Sequence, residues 1–348
     1  MNNMKYRILQ VCKEDRATSL QRALAFQDLG HDLTRIFTYR PTEKPGLWKK
    51  GMRKLLFRLG YYPEMNNENK AIIERCKKES VDLIFFEKPL SIHPNTLQQL
   101  KKLQPRVKLV SYTLDDMFNP NNSSRHYRKS LPFYDFHFTN KSYNVKELKR
   151  SGARNVHFFR NAFSPRVHRP VSLTNKERSF FGSDVSFIGT FEKERAYSLN
   201  KIAEKGYAIK IWGWGRSSQR SGILHSQIEN MNRYVYHDDY PKVVCSSKIN
   251  LCFLRKQNRD LATTRSIELP ACKGFMLAER TTEHLELFEE GKEAAFFSSD
   301  EELIDKIEFY LKNDPLREKI AEAGYNRCLS ADYSYNRQLS DILEKVMS

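Results

Sequence analysis

The chain has 348 residues, 40% apolar and 12% aromatic, which is too long for one ordinary core and fits two domains of about 100–200 residues each. No run of about 18 apolar residues occurs, which excludes a spanning helix by pattern, and the opening residues MNNMKYRILQVCKEDR lack the apolar stretch of a signal peptide. The net charge of +17 is unevenly placed: residues 1–170 carry 33 Lys and Arg against 15 Asp and Glu, residues 171–348 carry 26 against 27. The whole excess therefore lies in the first half, where it would attract nucleic acid, an acidic membrane leaflet or a phosphorylated substrate.

In chain order, YRILQVC (6–12) reads as a strand, ATSLQRALAFQDLG (17–30) as a helix closed by Gly30, and HDLTRIF as a second strand. The segment PGLWKKGMRKLLFRLGYYP (45–63) sets Leu47, Trp48, Met52, Leu55, Leu56, Phe57 and Leu59 among Lys49, Lys50, Arg53, Lys54 and Arg58, with no acid. Two readings are open for it: a basic amphipathic helix at an anionic membrane, or a domain helix with a solvated basic face. VDLIFFE (81–87), VKLVSYT (107–113), FYDFHFT (133–139) and VHFF (156–159) are further strands, separated by helical segments such as SYNVKELKRSG (142–152).

The polar, proline-bearing stretch 161–183 reads as a linker, with 169–182 between the domains. Beyond it the rhythm repeats: SDVSFIG (183–189), a helix at about 192–205, YAIKIWGWG (207–215), SKINLCF (247–253), GFMLAE (274–279), AAFF (294–297), and some 50 helical residues at the end. Strands alternating with helices in both halves predict an α/β protein of two Rossmann-like domains with parallel sheets, 1–168 and 183–332, the last helix (333–348) packing back on the first domain. Ligands of open parallel sheets sit at the C-terminal strand ends, so two such sheets facing across a cleft would share one. Cys12, Cys76, Cys245, Cys252, Cys272 and Cys328 form no C-x-x-C pair and no ligand spacing with histidine, as expected of reduced thiols in a cytoplasmic protein.

RDLATTRSIELPACKGFMLAE (259–279) is the most informative stretch. Glu268 begins a predicted helix after a polar loop, with Arg265 one turn away, and such a helix end suits a phosphate. A glutamate there can accept two hydrogen bonds from a diol such as ribose, and Asp260 could reach the hydroxyls of a second sugar. The set reads as a site for a nucleotide diphosphate sugar; the plainer alternative is an N-capped helix with a surface Arg–Glu pair.

DVSFIGTFEKERAYSLNKIAEKGYAIKIWGWG, SSKINLCFLRKQNRDLATTRSIELPACKGFMLAE and the stretch LFEEGKEAAFFSSDEELIDKIEFYLKNDPLREKIAEAGYNRCLSADYSY resemble the C-terminal domain of group 1 glycosyltransferases, and more narrowly their spore-maturation-protein branch. SYTLDDMFNPNNSSRHYRKSLPFYDFHFTN, in the first half, is similar to the same branch. The resemblance implies a GT-B architecture, a donor nucleotide held by the C-terminal domain, retaining transfer and no metal or cofactor beyond the nucleotide-sugar co-substrate. It places Glu268 on the second acid of an E-x7-E pattern, at the donor ribose, and Asp260 on the first, at the donor sugar, one methylene shorter than the usual glutamate. By the same resemblance Gly189 falls on the glycine closing the domain's first strand, Thr190 beside it would bind the donor, and Arg195 would meet the diphosphate. Lys273 stands where glycine is usual, and no glycine-rich loop follows the first strand.

Glycosyl transfer builds negative charge on the departing phosphate, which arginines and helix N-termini stabilise. No aspartate cluster or histidine pair suggests a metal. Asp115 and Asp116 end a strand, where they would orient the acceptor, act as base or cap the next helix. Arg125 and His126 would meet an acidic acceptor, or are merely solvated. Trp212 reads as core, and Gly213 as the turn beside the nucleotide. The expected protein is a glycosyltransferase at the inner membrane face, with Asp260, Asp116 and Arg195 as its catalytic groups. Its acceptor would be a cell-surface, spore-surface or lipid-linked polysaccharide. The rivals are a catalytically silent nucleotide- or glycan-binding relative and a basic nucleic-acid-binding protein. No nucleic acid is expected, because no helix-turn-helix, zinc or RRM-type signature accompanies the charge.

Overall fold

A strand followed by a helix returns to its sheet in the same direction, so this alternation pairs strands in parallel. The computed structural model describes residues 4–14, 17–39, 47–215 and 225–348; residues 45 and 46 of the basic segment lie outside them. The chain divides into two compact units. Unit 1 comprises Met1–Arg160, Lys256–Asp260 and Tyr335–Ser348, and unit 2 comprises Asn161–Arg255 and Leu261–Ser334.

Unit 1 contains β1 (Arg7–Lys13), α1 (Thr18–Asp28), β2 (Asp32–Tyr39), α2 (Leu47–Arg58), α3 (Glu68–Lys78), β3 (Leu83–Glu87) and α4 (Pro94–Leu103). Then come β4 (Lys108–Thr113), α5 (Arg125–Ser130), β5 (Phe136–Thr139), α6 (Ser142–Arg150) and β6 (Val156–Phe158). The strands pair in parallel in the order β2-β1-β3-β4-β5-β6. β3 reads LIFFE and is buried at every position, as a strand covered on both faces must be.

The strand order reverses between β1 and β3, and a buried ion pair lies there. Glu87, the last residue of β3, accepts from Arg22 Nε at 2.9 Å and from Arg22 Nη2, and Gln10 Nε2 adds a third bond at 2.6 Å. The Arg22 guanidinium lies 4.9 Å over the Tyr112 ring and 5.6 Å over that of Tyr335. Tyr335 opens the last helix of the chain (Tyr335–Met347), whose Gln338 accepts from Tyr112 Oη at 2.9 Å and donates to the Arg160 carbonyl at 2.5 Å.

Unit 2 contains α7 (Asn175–Phe181), β7 (Val185–Ile188), α8 (Lys193–Ala203), β8 (Ile209–Trp212), β9 (Ile228–Asn230), α9 (Asp239–Ser246) and β10 (Ile249–Cys252). It continues with α10 (Arg265–Ala271), β11 (Met276–Glu279), α11 (Thr282–Leu287), β12 (Ala295–Phe297), α12 (Asp300–Lys312) and α13 (Asp314–Ser330). All its strand pairs are parallel, in the order β9-β8-β7-β10-β11-β12, which is that of dinucleotide-binding sheets and reverses between β7 and β10.

The stretch expected as a linker is partly helix. Thr174 Oγ1 accepts from the Glu177 N–H at 3.2 Å while Glu177 Oε2 accepts from the Thr174 N–H at 3.0 Å, a capping box that starts α7. Phe181 then stacks on Trp212 at 5.7 Å between ring centroids, which anchors the helix to the core. All six cysteines are free and five are buried.

His284 and His137 are held neutral by burial. His284 Nδ1 lies 2.6 Å from the Glu279 carbonyl and must donate to it, so Nε2 accepts from Ser266 Oγ at 2.7 Å. His137 Nε2 donates to the Leu131 carbonyl at 2.9 Å, leaving Nδ1 buried with no partner among the described residues. Burial lowers each pKa from 6.5 to about 4.

Replacing Glu87 by leucine strands the Arg22 charge in the interior and should cost about 3–5 kcal/mol in denaturant unfolding. The double replacement Arg22→Met/Glu87→Leu should cost less than that single one. Between pH 6.5 and 4 the unfolded chain binds protons at His137 and His284 that the native chain refuses, so stability is complete above pH 6.5 and falls as the pH drops. Each histidine contributes up to about 3 kcal/mol, to be seen as a melting temperature that declines from pH 7 to pH 5 with a shallower slope in His284→Asn.

Candidate active site

In unit 2, α10 grows from the sequence TTRSIELPACKG. Ser266 Oγ accepts the Thr263 N–H at 3.0 Å and bonds His284, which ties down the helix start. Its end is a Schellman motif: the Gly274 N–H reaches the Leu269 carbonyl at 3.1 Å and the Lys273 N–H that of Pro270 at 2.8 Å. Lys273 supplies the left-handed residue at φ 60°, which explains why glycine suits this position. The lysine side chain turns outward to Glu322. The close approach falls one residue on, where a Cβ on Gly274 would lie 2.3 Å from Val244 Cγ1.

The helix begins at Arg265, so Glu268 lies within its first turn rather than opening it, and its carboxylate is buried. That placement removes the surface Arg–Glu pair as an explanation. Tyr240 Oη donates to Glu268 Oε2 at 3.1 Å, and Arg265 Nε lies 4.0 Å from the same oxygen. On the other side, His168 Nε2 is 3.8 Å from Oε1. Because the Ser164 N–H donates to His168 Nδ1 at 3.0 Å, the neutral ring carries its proton on Nε2, toward Glu268. Burial lowers the His168 pKa against the pull of Glu268, with Arg265 acting in the same direction as burial. The Arg265 side chain is 39% exposed and that of Glu268 5%, so the cation stands on the solvent side of the carboxylate.

Gly189, Thr190 and Arg195 follow β7, beside the reversal of strand order. Arg195 is buried and spends its guanidinium on backbone, donating to the Thr190 carbonyl at 3.1 Å and to that of Phe253 at 3.3 Å. It thus joins the loops after β7 and β10. Gly213 adopts φ 96°, and a Cβ there would come 2.6 Å from the Gly189 carbonyl oxygen, so these two turns approach as only glycine allows. Trp212 and Trp214 are both core residues.

Asp260 belongs to unit 1, carried by the segment Lys256–Asp260. Its Oδ1 lies 2.6 Å from Lys141 Nζ, with both side chains buried, and accepts from Asn258 Nδ2 at 2.7 Å. Asp116 is buried too, and both its oxygens are engaged: Arg259 donates to them at 2.7 and 2.9 Å, Asn144 at 3.0 Å and the Phe118 N–H at 3.0 Å. Burial opposes its charge, but Arg259, Asn144 and the Phe118 N–H outweigh it and hold the carboxyl below its usual range. Such a group is a poor base. Asp116 ties down the segment that bears Arg259 and Asp260.

Asp115 diverges from its neighbour and pairs with Lys88 at 2.6 Å. Arg125 lies 5.0 Å over the Tyr61 ring, and His126 stacks on His93 at 4.3 Å. The expected residues are therefore brought together in groups: Arg265 with Glu268; Gly189, Thr190, Arg195 and Gly213 at the reversal; Asp116 and Asp260 through Asn258 and Arg259. Lys141 and His168 were not anticipated, because sequence spacing carries no trace of contacts made across a hundred residues or more. Among the described residues, no three His, Cys, Asp or Glu side chains gather as a metal ion would need.

Residues 195–344 match the family described as "Glycosyl transferase-like". No protein of curated function matches the chain by sequence. By structure, it is similar to HepE of Anabaena, solved in complex with UDP and glucose, with 12% identity and a TM-score of 0.64 over 98% of this chain and 100% of that one. A glycosyltransferase of Rickettsia africae aligns with 15% identity and a TM-score of 0.67 over 99% of each chain. Sucrose-phosphate synthase of Thermosynechococcus elongatus aligns with 12% identity and a TM-score of 0.68 over 98% of this chain and 99% of that one. At such identities the likeness is one of fold, and the fold is GT-B. The family match spans the segment that holds Arg195, Arg265 and Glu268, in a chain whose fold is GT-B.

Proposed function

We propose that the protein transfers a sugar from a nucleotide diphosphate sugar, bound in unit 2, to a glycan or lipid-linked polysaccharide acceptor, with retention of anomeric configuration. Glu268 carries this assignment. It is a buried carboxylate in the first turn of a helix, beside a half-buried arginine, in a sheet whose strand order is that of nucleotide-binding folds. HepE, of the same fold, was solved with UDP and glucose, which supports a nucleotide-sugar donor.

In this proposal Glu268 accepts hydrogen bonds from the ribose diol, and Arg265 faces the diphosphate, where leaving-group charge develops. Arg195 braces the Thr190 loop beside it. The anomeric carbon–phosphate oxygen bond breaks as the acceptor hydroxyl bonds to the same face of the sugar, and the hydroxyl proton passes to the departing phosphate oxygen. Neither an enzymic nucleophile nor a cofactor enters these steps. Asp260, bonded to a buried ammonium, is assigned no proton transfer.

In this reading the acceptor lies at the cytoplasmic face of an anionic leaflet, to which α2 would bind. Met52, Leu55 and the following Leu59 are each more than half exposed, while Leu56 and Phe57 turn inward, Phe57 edge-on to Tyr62 at 5.9 Å. The same segment contributes Lys49, Lys50, Arg53, Lys54 and Arg58 with no acid, the composition of a helix that lies on acidic lipid.

A thermal-shift screen against UDP-, GDP-, ADP-, dTDP- and CMP-linked sugars tests the donor site. One of them, at a hundred times its Kd, should stabilise the protein by about 2.7 kcal/mol, and Glu268→Ala should lose that shift. Stabilisation without any transfer or hydrolysis of the sugar would make the protein a silent binder. Co-sedimentation tests the surface. Vesicles with 30% phosphatidylglycerol, but not pure phosphatidylcholine, should carry the protein down, about tenfold less for Met52→Glu/Leu55→Glu and less in high salt. Equal binding of that variant, or tighter binding to duplex DNA than to the vesicles, overturns the membrane assignment.

A further inference from the structure

We infer that Tyr240 and His168 are positioning residues for the Glu268 carboxylate, setting which of its lone pairs remain for a ribose diol. The inference rests on the proposed ribose contact of Glu268. An ionised carboxylate offers about four acceptor directions and no donor, and around a flexible side chain all of them point anywhere. Here the group is enclosed by partners from two other segments of unit 2. Tyr240, on α9, donates to Oε2 at 3.1 Å. His168 presents its Nε2 proton to Oε1 from 3.8 Å, an electrostatic contact rather than a hydrogen bond.

The histidine has no freedom to do otherwise. The Ser164 N–H occupies Nδ1 at 3.0 Å, and the same turn returns the His168 N–H to the Ser164 carbonyl at 2.7 Å, so tautomer and ring orientation are set together. The turn is anchored in its own unit, the Phe163 N–H donating to the Tyr333 carbonyl at 3.0 Å. The two rings meet edge to face at 5.0 Å, so each limits the other's rotation. His168 is 2% exposed, Glu268 4% and Tyr240 5%, so this alignment is complete before any ligand arrives. A pre-aligned acceptor binds a diol without first losing its own rotamer freedom. Arg265, 4.0 Å from Oε2 on the open side, completes the charged surroundings of the carboxylate.

The test separates the carboxylate's aim from the integrity of the site. The Kd values of UDP, GDP and ADP are measured by calorimetry against their 2′,3′-dideoxy counterparts for wild type, Glu268→Gln, Tyr240→Phe, His168→Leu and His168→Gln. Wild type should prefer the ribose form of its nucleotide at least tenfold, and Glu268→Gln should abolish that preference. Tyr240→Phe and His168→Leu should each reduce it three- to tenfold while leaving the dideoxy Kd unchanged, and His168→Gln, which keeps an N–H donor, should recover part of it. A preference within twofold of wild type in both Tyr240→Phe and His168→Leu overturns the inference and leaves the ribose contact standing. An equal loss for both nucleotide forms also overturns it, because the two residues then support the fold of the site as a whole. Wild type without a ribose preference, or Glu268→Gln that retains one, removes the underlying contact itself.

Discussion

A carboxylate taken out of water must find donors or a cation, and in unit 2 the surroundings of Glu268 follow from that demand. The side chain sits in the first turn of a short helix whose residues from Ser266 to Ala271 are all buried. Burying a charge there without partners would cost several kcal/mol. The answer comes from three directions: a tyrosine on α9, a histidine on the segment leading into the unit, and the arginine that opens the helix. Only the arginine reaches solvent substantially. The acid is therefore held from behind and left with an open cationic side, an arrangement that suits a ligand bearing both a diol and a phosphate.

Unit 1 uses buried charge in the opposite way. At its reversal of strand order, Glu87 and Arg22 satisfy each other, and Gln10, Tyr112 and Tyr335 enclose the pair. Lys141 and Asp260 likewise neutralise one another, and Asp116 is consumed by Arg259 and Asn144. These carboxylates already have cations of their own, so they weld segments distant in sequence, including the final helix and the Lys256–Asp260 segment, to the first sheet.

Much of this was legible in the chain itself. Short apolar runs such as LIFFE, INLC and MLAE, each followed by helical spacing, predict parallel strands, and each forms one. Glu268 and Arg265 are singled out by their place ahead of a buried strand. Other contacts have no local signal. Asp116 looks available because it follows a strand, yet Arg259, 143 residues away, claims it. The stretch 175–181 looks like linker because its helix is short and its apolar anchor, Trp212, is remote. His168 and Tyr240 carry no local signal at all.

Periodicity and local chemistry are properties of neighbouring residues, so the sequence alone determined the alternation of strands and helices, the parallel sheets, the basic first half and the acid–arginine pair at 265–268. Partner choice among buried charges depends on which segments fold against each other, and no spacing encodes it. Only the tertiary structure decided that Asp260 is neutralised by Lys141, that Arg195 braces a loop, and that Glu268 meets Tyr240 and His168. Desolvation makes each of those pairings obligatory once the chain has folded.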